Sequence, residues 1–300
     1  MRSPAQAPIA VIGLGAMGSR IASRLLDAGR QLLVWNRTPG ATAPLVRRGA
    51  IAAASPADAA RRAGTVIVMV ADPAALTAVS EGADGLMSGL HADMQVIVMS
   101  TVGPAAMNHF AGLLPATLDV LDAPVLGSLA EAEHGRLQIF VGGSRAAVTR
   151  AKPLLQELGT PLHAGGVGAG SAAKLVANHA LLGVITVLGE TIALAGELQL
   201  PRRVALEVLG LTPLAEQAAR RRAVLDGQPF PARYRLSLAR KDTDLMVANT
   251  SSGGSAQRLL PAIRSWLAEA EDRGRGDHDY LAILTTIMAA TRGTEGHHAG

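Results

Sequence analysis

Along the first half of the chain, short apolar runs alternate with stretches in which apolar and polar positions recur at helical spacing. Ile9–Ile12, Leu32–Trp35, Val66–Val70 and Val96–Met99 have strand length and are rich in Val, Ile and Leu. Alanine-rich helical patterns such as Ser19–Leu26 and Pro56–Ala63 stand between them. Thr117–Leu121 and Leu137–Val141 form a further strand pair, the second closed by Gly142-Gly143. A continuous apolar run is how a parallel strand buried on both faces is written. Alternation of such runs with helices predicts a parallel α/β sheet. Beyond a glycine-rich joint at Gly165–Gly170 the strand signal stops. Ser171–Leu198 predicts one long helix, apolar nearly all round and therefore buried on most sides. Helices are then expected over Arg202–Leu209, Pro213–Leu225, Leu236–Thr250, Ser255–Arg273 and Asp279–Thr291, ahead of a low-complexity tail at Gly293–Gly300.

The first strand runs directly into Gly13-Leu14-Gly15-Ala16-Met17-Gly18, which opens a helix. A lone GxGxxG is weak, but strand–turn–helix is the context that gives it meaning. Its glycines allow a tight turn, close approach of backbone to a pyrophosphate, and close helix–strand packing, with the phosphates at the helix N-terminus. The expected architecture is an N-terminal Rossmann-type parallel-sheet domain over residues 1–165. An all-helical substrate and dimerisation domain over residues 166–300 follows.

The end of the second strand reads Asn36-Arg37-Thr38. A site selective for NAD places an acid there, on the ribose 2′-hydroxyl. Here no carboxylate repels a 2′-phosphate, Arg37 offers a planar fork, and Asn36 and Thr38 offer neutral donors. NADP(H) is the expected cofactor, although Arg37 would also suit an exposed turn.

Composition narrows the classes. Of 300 residues 49% are hydrophobic and 17% charged, which excludes a disordered chain. The absence of cysteine excludes a disulfide scaffold, a thiolate zinc site and a catalytic thiol, and it suits a reducing, cytoplasmic setting. The net charge is only +4 although the pI is about 10.1. With two Tyr and no Cys little titrates between His and Lys, so a small excess persists over a wide pH range. A nucleic-acid surface would pair clustered cations with stacking aromatics. The densest cluster, Arg220-Arg221-Arg222, reads instead as a solvated helix face. No membrane partner is expected either: Met1–Pro8 is short and polar, and Ala180–Gly189 falls short of the ~20 residues of a span. His179 reads as a packed or interface histidine, and His163 and His297-His298 as surface residues, so no metal site is expected.

Lys174 and Asn178 lie four apart just after the glycine joint and so share a helix face. An amine and an amide there are expected to face the cleft where a nicotinamide would sit. A lysine in an otherwise apolar helix is costly without work or a partner, and desolvation would bring its pKa towards the working pH. The same lysine would also suit snorkelling to the surface.

Four separated motifs together resemble the β-hydroxyacid dehydrogenase family, which includes 3-hydroxyisobutyrate dehydrogenases and glyoxylate/succinic semialdehyde reductases, with imine reductases as distant relatives. They are Gly13–Gly18 with Asn36-Arg37-Thr38, Ser100-Thr101-Val102, Asp122-Ala123-Pro124-Val125 running on to Gly142-Gly143, and Gly168–Asn178 with Lys241-Asp242. The resemblance covers nearly the whole chain. It implies that Lys174 protonates a carbonyl oxygen as hydride arrives and that Asn178 bonds substrate or lysine. It places Thr101 beside nicotinamide and substrate, Asp242 facing the cleft with Lys241 near the cofactor, and Tyr234 lining the pocket. Val70, Ala71 and Asp72 match the strand-end loop that touches the dinucleotide.

One departure stands out. The family's serine after Ala-Pro-Val, which helps hold a substrate carboxylate together with nearby backbone amides, is Leu126 here. Leucine donates no hydrogen bond, which leaves Val125, Leu126, Gly127 and Ser128 as the expected pocket, with Ser128 as partial compensation. A substrate less dependent on a carboxylate is expected. The expected activity is NADP(H)-dependent reduction of a small carbonyl compound by a homodimer. An imine reductase is the rival chemistry, and a non-catalytic dinucleotide-binding sensor the rival class.

Overall fold

The computed structural model describes residues 7–250 and 257–290. The chain divides into two compact units, one up to Leu175 and one from Val176 on, so the division falls inside the long helix rather than at the glycine joint.

In chain order the first unit contains β1 (Ile9–Ile12), α1 (Ala16–Asp27), β2 (Leu32–Trp35), α2 (Ala43–Val46), β3 (Ile51–Ala52), α3 (Pro56–Arg62) and β4 (Thr65–Val68). It continues with α4 (Pro73–Ser80), β5 (Gln95–Val98), α5 (Pro104–Gly112), β6 (Asp119–Asp122), β7 (Val125–Leu126), α6 (Leu129–Glu133), β8 (Leu137–Gly142), α7 (Arg145–Leu158) and β9 (Gly159–Gly165). The strands make one sheet in the order β3-β2-β1-β4-β5-β6-β8-β7, with β9 on β8. From β3 to β6 every pairing is parallel, and β8 runs antiparallel to β6 and β7.

Alternate strand residues feed two cores, as the two-residue period of a strand requires. Ile9, Val11, Val34 and Ile97 join α1, α6 and α7 on one face. Ala10, Ile12, Leu33 and Val96 join α3, α4 and α5 on the other. This accounts for the unbroken apolar strands. Ile12, Val68, Val98 and Asp122 are in register across β1, β4, β5 and β6, so the carboxyl ends of the parallel strands form one edge. The strand order reverses between β1 and β4, and ligands of open α/β sheets bind outside the carboxyl ends at such a point.

The long helix α8 covers Ala169–Glu197, starting two residues earlier than the pattern predicts. Its N-terminus is held from the sheet. The buried carboxylate of Asp122, at the end of β6, accepts the N–H of Gly168 at 3.0 Å and that of Ser171 at 2.6 Å. Burial pushes this carboxyl above its ordinary range, against the opposing pull of those donors.

The second unit continues α8 and adds α9 (Arg202–Leu209), α10 (Ala215–Arg220), α11 (Arg222–Leu225), α12 (Leu236–Ala248), α13 (Leu259–Ala270) and α14 (Ala282–Ala290). The single helix expected over Pro213–Leu225 is two, interrupted at Arg221, whose backbone leaves the helical region. The last helix begins at Ala282 rather than Asp279, because the buried Asp279 carboxylate accepts the N–H groups of Arg233, Tyr234 and Leu281. Gly293–Gly300 and His297-His298 lie outside the described residues.

The span estimate from Ala180–Gly189 alone is too short. The continuous helix has 29 residues, and an 18-residue window in it reaches a mean hydropathy of 1.6, enough by length and composition to cross a bilayer. In this fold Leu182, Ile185, Leu188 and Ile192 pack in the core of the second unit with Leu236, Ile263, Leu267, Ile283 and Ile287.

Candidate active site

The glycine loop joins β1 to α1 at the carboxyl edge of the sheet. Gly13 has φ +94°, and a Cβ there would lie 2.2 Å from the Met69 carbonyl oxygen. A Cβ on Gly18 would lie 2.0 Å from the Gly13 carbonyl oxygen, so both glycines are demanded by the protein's own packing. Gly15 differs: it is exposed, has φ −66°, and a Cβ on it would meet nothing within 4 Å. Gly15 is also the N-cap of α1, where no side chain caps the helix, so the first-turn amides around exposed Ala16 and half-buried Met17 are open to an anion. A loop whose middle glycine is free of its own protein fits a dinucleotide pyrophosphate.

Two nearby residues do something other than expected. Asn36 Oδ1 accepts the Leu14 N–H at 2.9 Å and its Nδ2 donates to the Thr38 carbonyl at 3.1 Å. Asn36 therefore braces the loop first, with only one amide hydrogen left for a ligand, and the N–H of buried Leu14 is already used. Arg37 and Thr38 are exposed, and Arg37 has no hydrogen-bond or ion-pair partner among the described residues. At the next two strand ends, the Val70 N–H donates to Ser100 Oγ at 2.7 Å, tying the Val70-Ala71-Asp72 loop to the segment carrying Thr101. The Asp72 carboxylate caps α4 by accepting the Ala75 N–H at 2.7 Å, so its charge is engaged within its own loop.

Lys174 is one turn into α8 from Ser171, and it is 9% exposed. The anchorage of Ser171 on Asp122 thus fixes the turn of α8 that carries Lys174 beside the carboxyl end of β6. Motif reading passed over that positioning role of Asp122, whose partners lie 46 and 49 residues away. Asn178, on the same helix and 1% exposed, begins a network within the second unit. Its Nδ2 donates to Asp242 Oδ2 at 2.7 Å and lies 3.5 Å from the Tyr234 hydroxyl oxygen. Tyr234 Oη donates to the same carboxylate oxygen at 2.5 Å. Lys241 Nζ stands 2.8 Å from Asp242 Oδ1, an ion pair without hydrogen-bond alignment, so this buried oxygen receives no hydrogen bond. Burial, reinforced by the Asp242 charge, holds the Tyr234 hydroxyl well above the ordinary phenol range. The Tyr280 ring lies 5.4 Å away at a tilt of 49°.

Beyond β6, Val125 is buried and Leu126 half-buried, while Gly127 at φ +144° leads into α6. Ser128 does not compensate for Leu126 in the way expected. It is the N-cap of α6 in a full capping box: the Glu131 carboxylate accepts the Ser128 N–H at 2.7 Å and also its hydroxyl, while Ser128 Oγ accepts the Ala130 N–H at 3.3 Å. Both donors of Ser128 are therefore spent on Glu131. Away from the site, His163 Nε2 lies 3.0 Å and 2.9 Å from the Gly143 and Gly165 carbonyl oxygens, and His179 Nε2 is buried without a hydrogen-bond partner. Among the described residues no three His, Asp or Glu side chains gather as a metal site would require.

Comparison with known proteins agrees with this arrangement. Residues 8–170 match the NAD binding domain of 6-phosphogluconate dehydrogenase. The chain is 34% identical over 289 residues to 3-sulfolactaldehyde reductase of Escherichia coli (strain K12), covering 95% of this chain and 97% of that protein. It is 28% identical to glyoxylate/succinic semialdehyde reductase 2, chloroplastic, of Arabidopsis thaliana, over 94% of this chain and 80% of the relative. A solved 3-hydroxyisobutyrate dehydrogenase from Salmonella typhimurium superposes with a TM-score of 0.77 at 28% identity, over 93% of this chain and 99% of its own. An imine reductase from Myxococcus stipitatus shares the fold at a TM-score of 0.63 and 22% identity, over 94% and 99% of the two chains. With its dinucleotide loop at the sheet's switch point and relatives that are reductases and dehydrogenases along its length, this chain belongs to the β-hydroxyacid dehydrogenase family of NAD(P)-dependent oxidoreductases.

Proposed function

We propose that the chain reduces a small carbonyl compound with NADPH, with Lys174 as the general acid. The observation that carries this reading is the anchored position of Lys174. It is a nearly buried lysine one turn from a helix start fixed to Asp122, which closes β6 at the carboxyl edge of the sheet. When bound, the reduced nicotinamide supplies hydride to a carbonyl carbon. Lys174 Nζ holds the proton that the carbonyl oxygen receives as its negative charge develops. Asn178, its Nδ2 committed to Asp242, is the residue that the family resemblance assigns to the substrate hydroxyl. Asp242 and Tyr234 act through Asn178: the phenol stays protonated and donates to the carboxylate, which keeps the amide in one orientation. Thr101 is the further candidate contact at this edge.

The first-turn amides of Gly15–Gly18 receive the pyrophosphate, with Val70-Ala71 beside it. Arg37, exposed at the end of β2 and without an ion-pair partner among the described residues, is the group suited to a 2′-phosphate. Val176, Val187 and Leu194 leave an exposed apolar stripe along α8, which supports a homodimer built on that helix.

The test is Lys174→Met, with NADPH oxidation followed by absorbance and dinucleotide binding by fluorescence. Loss of a positioned general acid costs about 10²–10⁴-fold in kcat/KM, with cofactor affinity kept within a fewfold. Turnover that survives in Lys174→Met refutes the assignment, and dinucleotide binding without turnover of any carbonyl or imine by the unmodified chain favours a sensor.

A further inference from the structure

The loop that follows β7 carries a resident negative charge, and nothing above gives that charge a role in recognition. Its place follows from topology. Asp122 closes β6 at the carboxyl edge of the sheet and holds the start of the helix bearing Lys174. The chain leaves the same residue through Ala123-Pro124 and runs on along β8 as Val125-Leu126, beyond that edge. Leu126-Gly127-Ser128 therefore emerges on the side of the sheet where ligands of this fold class bind, from the same strand end that positions the ammonium.

At this loop the Ser128 N–H, its hydroxyl and the turn into α6 would be the donors available to a substrate carboxylate. The two donors of Ser128 are already answered from within. The Glu131 carboxylate takes the Ser128 N–H and hydroxyl. Glu131 stands close to the turn, where a Cβ on Gly127 would lie 3.2 Å from its Cβ. Swinging away would give up both hydrogen bonds from Ser128. The two hydrogen bonds from Ser128, with Arg136 adding a weaker pull, hold its carboxyl below the usual range, so the charge is present throughout neutral pH.

We infer that Glu131 is a specificity residue that bars a carboxylate-bearing carbonyl substrate and selects an uncharged one. The inference rests on the proposed carbonyl reduction and names the substrate class for it. Two features act together. Leu126 removes a hydroxyl donor, and Glu131 occupies both donors of Ser128 while adding like charge where an acid group would dock. A carboxylate entering this loop must displace Glu131 from Ser128 or sit beside it, and either costs affinity. Several similar proteins are named for acidic carbonyl compounds, so this chain would use the scaffold for a neutral aldehyde or ketone.

The experiment uses the full chain with NADPH and two matched substrates, succinic semialdehyde and its methyl ester. The unmodified protein is expected to favour the ester in kcat/KM by about tenfold or more, the scale of one close like-charge contact. Glu131→Gln keeps an amide oxygen to accept from Ser128 and should shrink that ratio about tenfold, chiefly by raising kcat/KM for the acid. Glu131→Ala should move the ratio in the same direction. Preference of the unmodified protein for the acid, or a ratio unmoved in Glu131→Gln, overturns the inference while leaving carbonyl reduction intact. A separate readout needs no turnover: calorimetric titration of the NADP⁺-loaded protein with 4-hydroxybutyrate. Binding about tenfold tighter in Glu131→Gln than in the unmodified protein supports the role of Glu131 even if neither aldehyde is reduced, in which case the proposed reaction alone falls. Equal binding in the two proteins overturns it.

Discussion

Replacing Asp122 by alanine tests how the sheet holds the start of α8. The side chain is buried and accepts the Gly168 N–H at 3.0 Å and the Ser171 N–H at 2.6 Å. Truncation strands both donors, at about 1–3 kcal/mol for each buried group left unsatisfied. The sum, about 2–6 kcal/mol, is a large part of the ~5–15 kcal/mol that holds a domain together. At about 2–4 °C per kcal/mol for a unit of this size, the melting transition should fall by roughly 4–24 °C. Asp122→Asn keeps one acceptor oxygen and should lose about half as much.

The pH dependence gives the sign. Burial raises the folded pKa of Asp122 above its unfolded value. Its contribution is therefore fully present below the unfolded pKa of ~3.9 and declines as pH rises through the raised folded value. Asp122→Asn, which cannot titrate there, should show its largest deficit relative to the unmodified protein in acid and a smaller one near neutrality. The assay is thermal unfolding by circular dichroism from acid to neutral pH, beside NADPH-coupled kcat. Because the start of α8 carries Lys174, kcat should fall in Asp122→Ala while dinucleotide affinity changes little. A stability loss under about 1 kcal/mol, or a kcat unaffected at a temperature where the variant is folded, would refute this account of the helix anchor.

Three further outcomes follow from the geometry. Arg37→Ala should cost about 10–100-fold in kcat/KM with NADPH and little with NADH, and equal losses with both would remove Arg37 from cofactor selection. Gly18→Ala forces a Cβ to 2.0 Å from backbone and should destabilise the protein without cofactor, whereas Gly15→Ala meets nothing within 4 Å and should melt as before while binding dinucleotide more weakly. Thermal shift with and without NADP⁺ separates the two. Tyr234 and Tyr280, both tyrosines of the chain, are raised by burial, and for Tyr234 the Asp242 charge adds to the effect. An alkaline ultraviolet titration of the folded protein should show no phenolate as pH passes ~10, and stability should fall as pH rises above that value.

The central strands were legible because two-sided burial writes itself as unbroken apolar runs, and β1, β2, β4 and β5 fall on those runs. The strands that were not legible lack that signature. Exposed Ile51–Ala52 and partly buried Val125–Leu126, with Val125 buried and Leu126 half-buried, have two residues each, and β9 is an edge strand, mostly exposed and carrying Pro161, which edge strands tolerate. Helices α4 and α5 carried clear start signals in Pro73 after Asp72 and Pro104 after Gly103, but their apolar residues are spread around the helix rather than gathered in a stripe. The break at Arg221 falls in a run of good helix formers and comes from packing, which no local propensity records.

The site divides along the same line between local and distant causes. The glycine loop was readable because it is a short motif whose spacing has a direct geometric meaning. Asp122 as helix anchor was not, since its two donors come from 46 and 49 residues away and only the fold brings them together. Asn36 and Ser128 are the instructive cases. Each was a reasonable ligand donor by residue type, and each is spent on a neighbour, the Leu14 amide in one case and the Glu131 carboxylate in the other. For Ser128 the information was in the chain: a serine followed three residues later by glutamate at the start of a helix is the pattern of a capping box. A polar side chain beside a candidate site is therefore available to a ligand only after its local partners have been counted. Here that count removes Ser128 from the donors and leaves a fixed negative charge in the loop, which turns a missing serine at Leu126 into an argument about substrate charge.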